Sequence, residues 1–202
     1  MTVDGGRRSR SQVRSKVLRA ALKAIEELGP DRVRVQDIAD RAGMSSGHVM
    51  YYFGDRDRIL VGTLLLSEQD LAERRHRMLA READPGVAVV RLSRLYLPTG
   101  PRDVRWTLWA QTISRPPTDP ETRNALREAV DSWSDALARV LEAGVGAGAF
   151  RPLEAEATAV RYCRFLDGLA MEMLLGTPGR ASRAWALAQA SAALAAFAAP
   201  AA

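Results

Sequence analysis

Apolar residues return every three or four positions along almost the whole of this 202-residue chain, and no segment keeps an alternating pattern for more than a few residues. A period near 3.6 gathers such residues on one face of an α-helix, whereas a half-buried strand needs a period of two. The chain is therefore expected to be all-α. The clearest stripe is Val13, Val17, Leu18, Ala21, Ile25 and Leu28. It predicts a helix over about 11–28, which Gly29 and Pro30 stop. Two short helices follow, over about 35–42 and 46–53, ended by Gly43 and Gly54. Asp55 has the side chain of an N-cap for a fourth helix that runs to about 81. Further helices are predicted over about 85–97, 102–114, 121–143, 153–175 and 181–197, about nine in all. "GVGAGAF" (144–150) is expected to be a connecting loop.

With 47% hydrophobic residues the chain can bury a sizeable core. Its net charge of +5 is concentrated at one end. Met1 to Ile25 holds seven Lys/Arg against one acid, Asp4, and the remainder is close to neutral. A basic end on a near-neutral body points to a polyanion, either nucleic acid or an anionic membrane, or else to a solvated tail. The single cysteine, Cys163, excludes an internal disulfide framework and a cysteine-rich zinc site. His48 and His76 are far apart, and neither has a ligand partner at helical spacing. Ser, His and Asp form no recognisable nucleophile motif. "GVGAGAF" lacks the preceding strand and the following Gly-Lys-Ser/Thr of a nucleotide loop. An enzyme is not expected, nor is a metal or cofactor. The alanine-rich stretch 181–202 is interrupted by Arg183, Gln189 and Ser191, so no membrane span is expected. The polar, basic opening has no apolar run of the secretory kind, and the cytoplasm is the expected compartment.

Two short helices joined by a tight turn after a longer helix make a helix-turn-helix pattern. In such a unit the N-terminal residues of the second short helix reach base edges in the major groove. Ser45, Ser46, Gly47 and His48 stand at that position. Small residues let the backbone approach a duplex, and hydroxyls and main-chain N–H groups at a helix N-terminus suit phosphate. Tyr51 and Tyr52 carry hydroxyls on rigid arms, and Arg56 could clamp the DNA backbone. Val49, Met50 and Phe53 are expected to pack against the first helix. The bland reading of the same pattern is a small three-helix packing motif.

The stretch "VRVQDIADRAGMSSGHVMYYFGDRDRIL" resembles the N-terminal signature of TetR-family transcriptional regulators. "WTLWAQTISRP" and "FLDGLAMEML" resemble the regulatory domain of the choline-responsive BetI-type members. The resemblance implies a three-helix helix-turn-helix DNA-binding domain over 1–55 and a larger helical-bundle domain over 56–202 for ligand binding and dimerisation. It implies DNA contacts from Gln36, Ser45, Ser46, Gly47, His48, Tyr51, Tyr52 and Arg56, with Arg56 in place of the family's usual lysine. Where the family often has Tyr and Thr, this chain has Met50 and Val35, which removes two hydroxyls. Arg7, Arg8 and Arg10 are expected close to phosphate or in solvent.

For the larger part, the aromatic and methionine residues Tyr96, Trp106, Trp109, Trp133, Phe165 and Met171 are expected to line an effector pocket, against the ordinary alternative of core packing. By analogy with the choline-responsive members, Trp106, Trp109 and Trp133 could form an aromatic cage for a quaternary ammonium, balanced by Asp167 or Glu172. A plain hydrophobic effector fits as well. The last two helices are expected to form a homodimer surface. Ala184, Ala188, Ser191, Ala192 and Ala195 would allow close approach, and Leu166, Leu169, Met173, Leu187, Leu194 and Phe197 would supply apolar area. The implied function is a ligand-responsive regulator, by family default a repressor, that binds a palindromic operator on double-stranded DNA as a homodimer and is released by a small molecule. The alternative is a helical small-molecule-binding or scaffolding protein without DNA binding.

Overall fold

The computed structural model describes residues 3–197, with side chains from 10 to 195. Among them are nine helices and no strand: α1 (Val3–Leu28), α2 (Val35–Ala42), α3 (Ser46–Phe53), α4 (Arg56–Leu79), α5 (Pro85–Tyr96), α6 (Val104–Ser114), α7 (Pro120–Gly146), α8 (Ala155–Leu175) and α9 (Arg183–Phe197). The side chains of Arg7, Arg8 and Phe197 lie outside the described residues. None of the described helices is long and apolar enough to cross a membrane.

Local chemistry sets the boundaries. Gly43 ends α2 in the left-handed region at φ 60°, where a side chain would be strained. The Ser45 hydroxyl then accepts from the His48 N–H at 3.2 Å and caps α3. The Asp55 carboxylate accepts from the Arg58 N–H at 2.7 Å and caps α4. Asp84 caps α5 through the Val87 N–H at 3.0 Å, with Pro85 in the first turn, where its missing N–H costs nothing. Two ends differ from expectation. α1 begins at Val3 rather than near 11, running through Gly5 and Gly6 ahead of the apolar stripe on which the expectation rested. α7 continues through Gly146 into the expected loop. The chain then folds back, and the Phe150 ring is buried against Gly144, where an added Cβ would lie 2.3 Å from the ring.

The helices form two compact units. The first comprises Met1–Ser67 and Val104–Pro120, so that α6 joins it although it is distant in sequence. Its core is Val17, Ala21, Ala24 and Ile25 from α1, Ile38 and Ala39 from α2, Val49 and Phe53 from α3, with Ile59 and Leu64 from α4. Each large member contributes about 1.5–3 kcal/mol on burial. The second unit comprises Glu68–Asp103 and Glu121–Ala202. This division differs from a single cut at residue 55, because α4 passes from one unit to the other and α6 packs on α1. In the second unit the Tyr162 hydroxyl donates to the Ala190 carbonyl at 2.9 Å and lies 2.9 Å from Ser93 Oγ, so one side chain ties α5, α8 and α9 together. Cys163 is buried beside it. Burial, with Asp167 nearby, pushes its thiol pKa up to about 12, so it is a neutral core residue.

α8 carries two apolar faces. Leu166, Leu169 and Met173 face inward and are buried in their own unit. They are therefore core residues and not the dimer surface expected for them. The outer face holds Phe165, 37% exposed, Met171, 49% exposed, and Leu175, 79% exposed. On α9, Ala184, Ala188, Ser191, Ala192 and Ala195 are all exposed, and Leu187 and Leu194 are half-buried.

Candidate nucleic-acid interface and ligand core

α3 is an amphipathic two-turn helix. Val49 and Phe53 anchor it in the core. The opposite face presents Gly47, His48 and Tyr51 to solvent, Tyr51 at 74% exposure. An added Cβ at Gly47 would meet nothing within 4 Å, so the backbone there is open to close approach. His48 and Tyr51 flank Tyr52, with ring centroids 5.3 and 5.4 Å from it, so the three rings form one outward cluster. Ser46 Oγ donates to Gln36 Oε1 at 2.6 Å, and Gln36 Nε2 donates to Asp40 at 2.6 Å, which links the start of α3 to α2. Seven of the eight expected DNA-facing residues therefore lie on or beside one polar surface of α2 and α3.

The eighth, Arg56, is placed differently. Its Nε donates to the Val33 carbonyl at 2.9 Å, a terminal nitrogen donates to the Pro30 carbonyl, and Asp57 lies 3.8 Å away. The guanidinium is half-buried and committed to main-chain carbonyls of the α1–α2 connection, so it acts as an internal brace where a phosphate clamp was expected. Arg14 was read only as part of the basic end, yet it too has an internal role. It donates to the Tyr52 carbonyl at 2.7 Å and lies 4.5 Å from the Phe53 ring centroid. A cation at the C-terminal end of α3 also complements the helix dipole.

The expected ligand residues divide between the units. Trp106 and Trp109 belong to α6 of the first unit, where Trp106 is buried and Arg105 lies 4.9 Å from its ring centroid. Tyr96 and Trp133 meet edge to face in the second unit, with centroids 5.0 Å apart. The Tyr96 hydroxyl donates to Asp167 at 2.5 Å, and Trp133 Nε1 donates to Glu68 at 3.0 Å. Phe165 and Met171 do not join this pair, since both are on the exposed face of α8.

Two charged residues that sequence reasoning missed complete the core. Glu68 and Arg75 are both buried on α4. The Arg75 guanidinium lies 4.3 Å from the Trp133 ring centroid and donates to Ser132 Oγ at 3.1 Å. Burial lowers its pKa from the ordinary value, and Glu68 acts in the opposite direction. The available signal was spacing: Glu68 follows Leu64 by four and Arg75 follows Leu71 by four, so both continue the inward stripe. A cavity of ≈ 380 Å³ opens beside Arg75, between the end of α4, the start of α5 and α7. No group of three or more His, Cys, Asp or Glu placed to hold a metal occurs among the described residues.

The model for bacterial regulatory proteins of the tetR family matches residues 17–62, which contain the α2–α3 surface. The model for the C-terminal part of BetI-type transcriptional repressors matches residues 85–199, more than half of the chain. The chain belongs to the TetR family. Relatives of this TetR-family chain are named as regulators rather than enzymes. The HTH-type transcriptional regulator BetI of Burkholderia thailandensis is 38% identical over 72 residues, 35% of this chain and 37% of that protein. BetI of Stenotrophomonas maltophilia is 37% identical over 73 residues, 36% of each. The chain thus spans little more than a third of the length of these curated relatives. Among solved structures, a transcriptional regulator from Saccharomonospora viridis in complex with choline is 29% identical, with a TM-score of 0.78, covering 91% of this chain and 96% of that one. A TetR regulator from Haloarcula marismortui, at 20% identity and TM-score 0.73 over 93% of this chain and 97% of that one, shares the fold.

Proposed function

We propose that this TetR-family chain is a ligand-responsive transcriptional repressor that binds a palindromic operator as a homodimer and releases it when a small molecule enters the second unit. The observation that carries the reading is the surface of α3. Its apolar side is locked into the first unit while Gly47, His48 and Tyr51 face solvent, where a recognition helix presents base-reading and phosphate-binding groups. The basic excess at the chain's start supplies charge for phosphate attraction. The Saccharomonospora viridis relative, solved with choline, supports a small-molecule site in chains of this kind.

The outer faces of α8 and α9 support the homodimer. Phe165, Met171 and Leu175 form an apolar strip beside the exposed small residues of α9, the composition of a closely packed helix interface. A two-fold dimer reads a palindrome whose half-sites lie about one helical turn apart, roughly 34–36 Å. Effector binding then selects a dimer whose recognition helices have another spacing, through its greater affinity for that shape. Such a protein works in the cytoplasm, on the chromosome.

The test is anisotropy titration of promoter DNA from upstream of the gene, with a set of single-base variants of the bound site. Tyr51→Ala should weaken binding to every duplex by a similar factor. His48→Ala should change the ranking among variants, by about 1–3 kcal/mol at the base it reads. Uniform weakening by His48→Ala would remove it from base reading.

A further inference from the structure

We infer that the cavity beside Arg75 is an effector site for a small organic carboxylate, whose oxygens accept hydrogen bonds from the Arg75 guanidinium, and that Arg75 keeps a quaternary ammonium out of this core. The inference deepens the regulator reading and rests on its effector-binding part.

Three observations lead to it. First, Arg75 is only 6% exposed, yet its Nη1 has no hydrogen-bond partner among the described residues. A buried guanidinium nitrogen without an acceptor is costly, and an acceptor supplied by a ligand removes that cost. Second, Arg75 lines a cavity of ≈ 380 Å³, within the range of about 300–1,000 Å³ that small-molecule sites occupy. The walls are mostly small and apolar, with Ala136, Val140 and Leu79 among them, and they suit a short hydrocarbon tail. The charged lining is two guanidiniums, Arg75 and Arg139, against one carboxylate, Glu82. Glu82 is already paired with Arg91 at 2.9 Å, which leaves two guanidiniums in the lining itself, while Glu68 and Asp135, outside the lining, offset part of the Arg75 charge. A mostly apolar-walled cavity beside a fixed guanidinium, whose Nη2 is held by Ser132 and whose Nη1 lacks an acceptor, suits a carboxylate.

Third, the features that would hold a ligand cation are already occupied from within the chain. A quaternary ammonium needs an aromatic face with a carboxylate nearby. Trp133, whose indole N–H is held by Glu68, offers both, but Arg75 covers the Trp133 ring at 4.3 Å. A ligand cation would have to displace a buried cation that belongs to the protein. Arg75 therefore sets the sign of the charge that the core accepts.

Calorimetry and thermal unfolding of the full chain with straight-chain carboxylates from butanoate to decanoate, the matching neutral amides, and choline test the inference. At least one carboxylate should bind and raise the melting temperature, its amide should bind at least tenfold more weakly, and choline should produce no shift. Arg75→Met should weaken the carboxylate tenfold or more. The carboxylate–amide comparison needs no variant, so it decides the matter even where Arg75→Met does not fold. Binding of choline without any carboxylate, or equal affinity of a carboxylate and its amide, overturns the inference. Promoter binding measured on the same preparation separates the two readings. A chain that binds promoter DNA but no carboxylate loses this inference and keeps the regulator reading. A chain that binds the carboxylate but no DNA does the reverse.

Discussion

Arg56 holds the start of α4 to the connection between α1 and α2 by donating to the Val33 and Pro30 carbonyls. Arg56→Ala should leave both acceptors without their donor and lower stability by about 1–3 kcal/mol. Thermal unfolding of the variant checks this, and an unchanged melting temperature would return Arg56 to the role of a phosphate clamp. At this scale the sequence was a partial guide. It placed Ser45, Gly47 and His48 at the start of the second short helix and Tyr51 further along it, and the structure leaves all four exposed, because turn chemistry and a two-turn apolar pattern leave few other placements. It could not tell a cation aimed at phosphate from one aimed at carbonyls, since both need only a guanidinium at the start of a helix. Arg75 and Glu68 were hidden for a related reason. A charged residue on an inward stripe is indistinguishable from one that reaches round to solvent until its partner, here Trp133 on α7, is known.

Among the elements, α8 shows where periodicity fails. Its helical extent was legible, yet it is apolar on two sides, so the stripe did not say which face was core. The structure buries Leu166, Leu169 and Met173, expected on the dimer face, and leaves Phe165 and Met171, expected in the pocket, outside together with Leu175. Tertiary partners decide this: the Tyr162 hydroxyl, on the inward face, is fixed between Ser93 and Ala190. The end of α7 carries a sharper test. Gly144 is in contact with the buried Phe150 ring, and a Cβ there would lie 2.3 Å from it. Gly144→Ala should force the ring out of place and destabilise the chain by about 1–3 kcal/mol, read from denaturant midpoints. A neutral or stabilising result would mean that Phe150 does not seal this turn.

On the scale of the whole molecule, the strip formed by Phe165, Met171 and Leu175 on α8 is expected to be covered by a second copy of the chain. Leu175 is 79% exposed in the single chain, so Leu175→Glu should leave the fold intact while placing a charge within an apolar interface. Sedimentation at micromolar concentration should show a dimer for the native chain and a monomer for the variant. A dimer of undiminished stability in the variant would place the interface elsewhere. Whether the α2–α3 surface binds DNA is read by anisotropy of the purified chain on its own upstream promoter DNA against a scrambled duplex at two salt concentrations. Preference for the promoter is expected, with an affinity that falls steeply as salt rises, as counterions released from phosphate require. Absence of binding to either duplex, even at low salt, would contradict it.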